Sequence, residues 1–323
     1  MACPFRCIYC DQHKITGVDY LLGRKEVVQV IEEHLITIPK KRRHVEIAFF
    51  GGNFTGLNEE TQEYYLSIAQ NYVDSGKVQG IRLSTRPDYI DEDKLKLLNR
   101  YDVSSIELGA QSLDDEVLAK CGRGHTAADV ENASKLIKQF GFNLGLQMMI
   151  GLPGDSPAKA LETAKKIIAL GANESRIYPC LVVRDTHLHK LYEQRNYRPL
   201  ELDEAVSLTA DLLLLFELNG VKVIRIGLHP SDDLKGRNLI AGPFHESFKE
   251  LVLSEIWNRK FKSLLDWPQC EQIRIEVPPQ ELNFAVGYKG LNKNGLKNIY
   301  HKVLFKTNSN LSSRQFLVYP LSS

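Results

Sequence analysis

The chain has 323 residues, of which 43% are hydrophobic and 25% are charged, and its formal net charge is +1. This length suffices for one large domain, or for one domain with a small appendage, and the composition is typical of a globular protein that buries a core. No apolar run approaches the roughly eighteen residues that a membrane-spanning helix needs, and the near-zero net charge argues neither for nor against an anionic partner.

The cysteine content indicates a reducing compartment. Six cysteines are too few for a disulfide scaffold in a chain of this length, and three of them, Cys3, Cys7 and Cys10, fall within eight residues. The N-terminal residues have neither a basic start nor an apolar signal region. We therefore expect a cytoplasmic protein that works at low oxygen and has no membrane partner.

Helical patterns and short apolar runs alternate from Arg24 to about Gly227. Polar caps such as Asn58, Thr126 and Ser156 precede the helical patterns. The apolar runs predict six strands, over Val45–Phe50, Ile81–Ser84, Ser105–Leu108, Leu144–Ile150, Arg176–Pro179 and Lys222–Ile226.

Such alternation predicts an α/β fold with a parallel sheet, either doubly wound or closed into a full or partial barrel. No G-x-G-x-x-G motif follows the first strand, which disfavours a dinucleotide-binding fold. Active groups are expected at the carboxyl ends of the strands in either case.

The alternation changes around Ala241-Gly242-Pro243. A helix over about His245–Leu265, strands over Ile273–Val277 and Lys302–Thr307, and helical patterns between the strands predict a small α+β appendage. We therefore expect a barrel-type domain over residues 1–243 and a small α+β region over residues 244–323.

The most informative motif is the spacing C-x₃-C-x₂-C formed by Cys3, Cys7 and Cys10. Thiolates are the soft anionic ligands that iron–sulfur clusters require, and a compact loop can hold three corners of a [4Fe–4S] cube. The next cysteine is Cys121, so the fourth iron would stay open for a substrate or cosubstrate. A structural zinc site is the competing interpretation, with His13 as its nearby fourth ligand.

This loop resembles the cluster loop of the radical S-adenosylmethionine (SAM) superfamily, which has an aromatic residue before the last cysteine, here Tyr9. The resemblance implies a partial (β/α) barrel and a [4Fe–4S] cluster whose open iron binds SAM. It further implies reductive cleavage of SAM to methionine and a 5′-deoxyadenosyl radical, with a reductant such as flavodoxin or ferredoxin.

A second motif, Phe49–Thr55 (FFGGNFT), ends the first predicted strand. Paired glycines let the backbone approach a ligand closely. The motif resembles the Gly-Gly-Glu motif with which the superfamily holds the amino group of SAM, so Gly51, Gly52, Asn53 and Thr55 are expected to contact SAM. Asn53 stands where an acid is usual, and an ordinary tight turn is the alternative.

Further motifs follow later strands, and they are, in chain order, Ser84–Asp88, Glu107–Ser112, Arg123–Thr126 and Gly151–Gly154. In their order along the chain and in their residues, these motifs resemble those of the catalytic subunit of Elongator, a tRNA-uridine-modifying enzyme, over about residues 3–227. The resemblance implies that Ser84, Arg86 and Gln111 line the SAM pocket, with Glu107 nearby. Pairing of Arg86 with Asp88 is the structural alternative.

Two departures from this resemblance affect the interpretation. The Elongator subunit carries an acetyltransferase domain, whereas the last eighty or so residues here show no acetyl-CoA pyrophosphate loop. The superfamily also places a strand before the cluster loop, whereas two residues precede Cys3. We expect either a shortened start or a barrel that lacks its first strand.

The appendage contains Gly287-Tyr-Lys-Gly290 between two helical patterns, followed by lysines at positions 293, 297 and 302. A G-x-x-G loop is the feature with which K-homology modules clamp a nucleic-acid backbone. It favours tRNA as a partner, and a small structural cap is the alternative.

The leading hypothesis is a radical SAM enzyme that modifies a tRNA base. The alternative is a radical SAM oxidoreductase for a small molecule, as in the oxygen-independent coproporphyrinogen oxidases. Those enzymes usually have a cysteine two positions past the cluster motif, where this chain has Gln12. A non-catalytic iron–sulfur or RNA-binding protein is the third hypothesis.

Overall fold

The computed structural model describes residues 7–10, 21–39, 44–228, 238–265 and 270–321. The chain divides into two compact units, of which the first comprises Met1–Glu201 and Leu215–Pro243 and the second Leu202–Leu214 and Phe244–Ser323. The division into domains 1–243 and 244–323 remains our proposal. The two units differ from that division in one respect, because Leu202–Leu214 belongs to the second unit.

The first unit is built on a six-stranded parallel sheet. Its strands are β1 (Glu46–Phe49), β2 (Gly80–Thr85), β3 (Val103–Gln111), β4 (Asn143–Ile150), β5 (Glu174–Pro179) and β7 (Lys222–Ile226). A short antiparallel ribbon is formed by β6 (Val182–Val183) and β8 (Leu239–Ala241). All six predicted strands are confirmed, with ends that move by up to three residues.

Helices connect the strands. They are α1 (Arg24–Thr37), α2 (Glu59–Asp74), α3 (Glu92–Leu98), α4 (Asp115–Lys120), α5 (Ala127–Gln139), α6 (Pro157–Ala169), α7 (His187–Glu193) and α8 (Leu202–Leu218), the last of which is shared between the units. The predicted caps are confirmed, because the side chains of Asn58, Thr126 and Ser156 accept hydrogen bonds from N–H groups of the first turns of α2, α5 and α6.

The strand order is β1-β2-β3-β4-β5-β7, so each strand pairs with the next strand of the sheet along the chain. Within the described ranges β1 pairs only with β2, and β7 only with β5, so the sheet does not close. This is the expected partial (β/α) barrel. It brings the carboxyl ends of six strands to one edge.

The two faces of the sheet differ in character, as β5 illustrates. Ser175, Ile177 and Pro179 are buried, whereas Glu174 and Arg176 on the alternate positions are only half-buried. Apolar side chains thus pack under the helices, and polar side chains face the concave interior.

The second unit contains α9 (Phe248–Phe261), α10 (Leu282–Val286), α11 (Leu291–Lys297), β9 (Gln272–Val277), β10 (Lys302–Thr307) and β11 (Leu317–Pro320). Its sheet has the order β10-β9-β11, and Trp257 and Phe261 lie in a core of its own. The α+β prediction is confirmed, although the sequence patterns do not predict β11. Among the described residues, no helix combines the length and apolar character that crossing a membrane requires.

Candidate functional site

A tight turn holds two of the three motif cysteines. The Cys10 N–H donates to the Cys7 carbonyl at 3.0 Å, and Cys7 is buried while Cys10 is half-buried. Cys3 lies outside the described residues, so the three-cysteine ligand set stays a prediction. Gln12 and His13 lie outside them too.

The first unit fixes this turn by main-chain bonds to two helices. The Ile8 N–H donates to the Cys121 carbonyl at 3.1 Å, and the Ile8 carbonyl accepts from the Leu188 N–H at 2.8 Å. Cys121 follows α4, and Leu188 lies in the first turn of α7. Main-chain groups of Cys121 and Leu188, which are distant in sequence, therefore support the turn, and we call this support the seat of the turn.

Side chains complete the seat. Ile8 and Tyr9 pack against a buried hydrophobic cluster. Its members are Val117, Cys121, Leu152, Cys180, Val182 and Leu188. Burial raises the pKa of the Tyr9 phenol and of the Cys121 thiol, and it raises the pKa of Cys180 to about 12, so these groups stay protonated at neutral pH. The aromatic residue before Cys10 thus anchors the turn by packing.

Arg123 is the polar neighbour of the cysteine turn. Its Nη1 donates to the Cys7 Sγ at 3.5 Å and its Nη2 donates to the Gly109 carbonyl of β3 at 2.7 Å, and the residue is 7% exposed. The guanidinium thus places positive charge and an N–H donor beside a cysteine sulfur. Arg123 belongs to the motif Arg123–Thr126, whose sequence alone does not indicate this role.

The donor set fits an iron–sulfur cluster. Two adjacent thiols on a turn, one of them bonded to a buried cation, suit an anionic thiolate-ligated centre. In the described ranges, which omit Cys3, no three cysteine, histidine or acidic side chains come together as a metal site. Cys7 and Cys10 could hold two corners of the cluster.

The glycine pair borders a cleft. Gly51 has a φ of 101°, which a side chain would strain. Gly51, Gly52 and Ser84 line a cleft of about 300 Å³ together with residues of α1 and β1. The glycines follow β1 and Ser84 lies near the end of β2, at the carboxyl edge of the sheet where SAM is predicted to bind, while the other walls of the cleft are mainly apolar side chains such as Val27 and Phe49.

Asn53 and Thr55 lie in the loop after the glycines, and both are buried. The Asn53 Oδ1 accepts from the Thr85 Oγ1 at 2.5 Å and from the Arg86 N–H at 3.2 Å. The Thr55 Oγ1 donates to the Tyr89 carbonyl at 2.8 Å. These bonds lock two loops together, and a contact of Asn53 or Thr55 with SAM stays a prediction.

The Arg86 side chain is 2% exposed and forms a bidentate ion pair with Asp88, at 2.9 and 2.8 Å. Its Nη2 also donates to the Arg123 carbonyl at 2.9 Å. The Arg86 guanidinium, which the resemblance places in the SAM pocket, thus binds a carboxylate two residues away. This bond helps to hold Arg123 beside the cysteine turn.

Glu107 lies in a charged network inside the half-barrel. Its carboxylate accepts from Arg82 Nε at 3.0 Å and from Arg176 Nε at 2.5 Å, and Arg82 also pairs with Glu46 and Glu174. Strand alternation explains the grouping, because all of these residues occupy inward positions of the sheet. This network was not predicted from the sequence, although charged residues within buried parallel strands are a signal for it.

Gln111 ends β3 with a φ of 66°, and its Oε1 accepts from the Gln147 Nε2 of β4 at 3.1 Å. A non-glycine residue in this region of φ is uncommon and often lies near a functional site. Gln111 is thus at the carboxyl edge of the sheet, as expected for a pocket residue.

His125 lies two residues beyond Arg123 and is 4% exposed. Its Nε2 is 3.2 Å from the Ala110 carbonyl, so Nε2 carries the proton and donates. Its Nδ1 has no hydrogen-bond partner among the described residues. Burial, followed by the charge of Arg123, lowers the pKa of His125 to about 4.

Comparison with known proteins places this geometry in context. The sequence profile of the Radical SAM superfamily matches residues 1–167, and that of the Radical_SAM C-terminal domain matches residues 172–258. An uncharacterized protein of Methanocaldococcus jannaschii is 30% identical and covers 66% of this chain and 68% of its own length.

Longer relatives match in part. The tRNA uridine(34) acetyltransferase of Methanocaldococcus jannaschii is 26% identical over 54% of this chain, which spans 36% of that protein. Elongator complex protein 3 of Homo sapiens is 27% identical over 75% of this chain, which spans 46% of that protein. The chain thus covers less than half of either relative.

Solved structures agree on the fold. The structure of the archaeal Methanocaldococcus infernus Elp3 with an N-terminus deletion superposes with a TM-score of 0.63 at 22% identity, covering 73% of this chain and 58% of that one. The superfamily profile spans more than half of the chain and includes the cysteine turn that the half-barrel supports. The chain therefore belongs to the radical SAM superfamily.

Proposed function

We propose that this chain is an enzyme that holds a [4Fe–4S] cluster through Cys3, Cys7 and Cys10, cleaves SAM reductively and uses the resulting 5′-deoxyadenosyl radical to modify a tRNA base. The observation that carries the cluster assignment is the bond from buried Arg123 to the Cys7 Sγ, on a turn seated between α4 and α7. A flavodoxin or ferredoxin is the expected reductant.

Different residues of the chain have different roles in such a site. When bound, the cluster supplies the electron that splits the sulfonium of SAM into methionine and the radical. Arg123 compensates the negative charge that thiolates carry. Gly51, Gly52 and Ser84 offer main-chain and hydroxyl groups to SAM at the edge of the sheet, and the packing of Ile8 and Tyr9 keeps water from one side of the turn.

The tRNA part of the proposal is supported by two of the relatives, which are named as tRNA uridine(34) acetyltransferase and Elongator complex protein 3. The shared sequence covers the radical SAM portion and leaves more than half of each relative unmatched. We therefore propose the class of substrate without naming the group that is transferred.

The first test addresses the cluster. Anaerobically reconstituted protein should bind about four irons per chain, and with dithionite and SAM it should release 5′-deoxyadenosine. Cys7→Ala and Cys10→Ala should each reduce that release to background, because each removes one thiolate. Cys270→Ala is the matched control, since Cys270 packs in the core of the second unit. Release that persists in Cys7→Ala would contradict the ligand assignment.

The second test addresses the substrate. The reduced enzyme is incubated with SAM and total tRNA, and the nucleosides are compared by mass spectrometry with those from the Cys7→Ala protein. A nucleoside altered only by the wild-type enzyme supports the proposal. SAM cleavage with unchanged nucleosides would instead favour a small-molecule substrate.

A further inference from the structure

The C-terminal segment is strongly basic. From Leu282 to Ser323 the sequence has six lysine and arginine residues and no aspartate or glutamate, although the net charge of the whole chain is +1. The rest of the chain is therefore net negative. Positive charge concentrated in one segment is typical of a surface that binds nucleic acid.

The topology of this unit places a glycine loop between two helices. β9 and β10 are parallel neighbours, with Gln272 opposite Lys302 and Val277 opposite Thr307. The crossover between them consists of α10, the loop Gly287–Gly290 and α11. A G-x-x-G loop between two helices is how K-homology modules clamp about four nucleotides of backbone.

The loop backbone requires its glycines. Gly287 has a φ of 87°, and a Cβ there would lie 2.7 Å from the Asn292 main-chain nitrogen. Gly290 has a φ of 77°, and Lys289 between them has a φ of 51°. A lysine in this left-handed region is unusual, and such backbone conformations persist where the surrounding structure holds them.

Neighbouring residues hold the loop rigidly. The Tyr288 N–H donates to the Ser254 Oγ at 2.9 Å, and the buried Asn292 side chain donates to the Ser254 carbonyl at 2.9 Å. The Tyr288 ring also meets His245 edge to face at 5.2 Å. The loop is therefore ordered before any ligand binds, which lowers the entropy cost of binding.

Lysines extend from the loop along α11. Lys289 is exposed in the loop, and Lys293 and Lys297 lie four residues apart in α11, which places these two along one side of the helix. Among the described residues, no carboxylate lies within ion-pair distance of any of the three, so their charge is available to a polyanion.

We propose that the loop Gly287–Gly290 and the lysines Lys289, Lys293 and Lys297 bind the sugar–phosphate backbone of a single RNA strand. The glycines give the loop the backbone conformation in which Lys289 is exposed, and the lysines contact phosphates. This inference rests on the proposed tRNA substrate and assigns the part of the chain that retains it.

The test compares two double variants of the full-length protein in binding fluorescent tRNA at several salt concentrations. Lys289→Gln/Lys293→Gln should weaken binding roughly 10- to 30-fold at 0.1 M salt and should reduce the slope of log K against log salt by about 1.4, as expected for two lost phosphate contacts. Lys249→Gln/Lys262→Gln is the matched control, because it removes two exposed lysines of the same unit. Thermal midpoint and iron content verify that both variants fold.

Each outcome decides one of the two proposals. Wild-type protein that binds no tRNA would overturn the proposed RNA substrate. The loop site would be overturned if the wild-type protein and the loop variant bound tRNA with equal affinity. It would also be overturned if the control variant lost as much affinity for tRNA as the loop variant. Equal affinity of the wild-type protein for polyglutamate, with the same dependence on Lys289 and Lys293, would show a site for acidic protein and overturn the RNA assignment.

Discussion

At the scale of single residues, Arg123 connects several parts of the site, although the sequence assigned it no role. It donates to the Cys7 Sγ and to β3, and its own carbonyl accepts from Arg86, which Asp88 holds. Hydrogen bonds and charge at the cysteine sulfurs are among the factors that set the potential of an iron–sulfur cluster. Arg123 is therefore expected to act as a positioning and tuning residue.

Replacing Arg123 by glutamine should make the midpoint potential of the reconstituted cluster more negative, by on the order of 100 mV, because a positive charge and an N–H···S bond are both lost. Arg123→Lys keeps the charge and should restore a large part of the shift. The potential is measured by redox titration followed by electron paramagnetic resonance.

Arg100→Gln serves as the control for that titration, since Arg100 pairs at the surface with Glu63. Iron content shows whether each variant still holds the cluster. A potential in Arg123→Gln equal to that of the wild-type protein would contradict the tuning role.

His125 makes stability depend on pH. Its pKa falls from the ordinary value of about 6.5 to about 4 in the folded chain. Between these values the unfolded chain binds a proton that the folded chain does not, so stability present above pH 6.5 is lost as the pH falls. The wild-type protein should lose about 2 kcal/mol of unfolding free energy through this group between pH 7.5 and pH 5.

Urea unfolding of His125→Gln at the two pH values tests this. Glutamine can still donate to the Ala110 carbonyl but does not titrate, so the variant should lose about 2 kcal/mol less than the wild-type protein on acidification. His301→Gln, at an exposed position, should behave as the wild-type protein does. Identical pH dependence in all three proteins would contradict the assignment.

The sequence predicted positions better than contacts. It placed Gly51, Ser84 and Gln111 at strand ends, where the structure has them. It could not determine that Asn53 bonds Thr85, because that bond depends on how two loops meet in space. The alternative pairing of Arg86 with Asp88 was visible in sequence only as local spacing.

At the scale of elements, the interior of the half-barrel depends on a glycine in β4. A Cβ on Gly145 would lie 2.7 Å from the Glu107 Cγ. Glu107 has little freedom to move, since Arg82 and Arg176 bind its carboxylate. The small residue therefore makes room for the charged network.

Gly145→Ala should lower the free energy of unfolding by about 1–3 kcal/mol, as an overpacked core position does. Gly295→Ala is the matched comparison for Gly145→Ala, because the added carbon on Gly295 in α11 would have no atom within 4 Å. It should raise the stability of the second unit by about 0.5–1 kcal/mol through helix propensity. Both are measured by urea unfolding, and a neutral Gly145→Ala would mean that Glu107 can shift.

Elements were predictable where periodicity was strong. Six strands and the long helices have clear apolar patterns and polar caps, whereas the short helices α3, α4 and α7 are too brief to show a period. β11 pairs with β9 across forty residues of sequence, so tertiary context determines it.

At the scale of the whole molecule, the near-zero net charge conceals a division of labour. The first unit has the seat for the cysteine turn, and the second has its own core and the basic loop. Composition alone could not reveal this, because the positive charge of the segment from Leu282 to Ser323 and the net negative charge of the residues before it cancel in the total.

The seat of the cysteine turn also orders events during synthesis. Ile8 leaves the ribosome first, but its main-chain partners belong to Cys121 and Leu188, and the second is translated 180 residues later. Domains fold as units while the chain is being made. We therefore expect Cys7 and Cys10 to lack this support until most of the half-barrel has emerged, and we expect the proposed cluster to be inserted at that late stage.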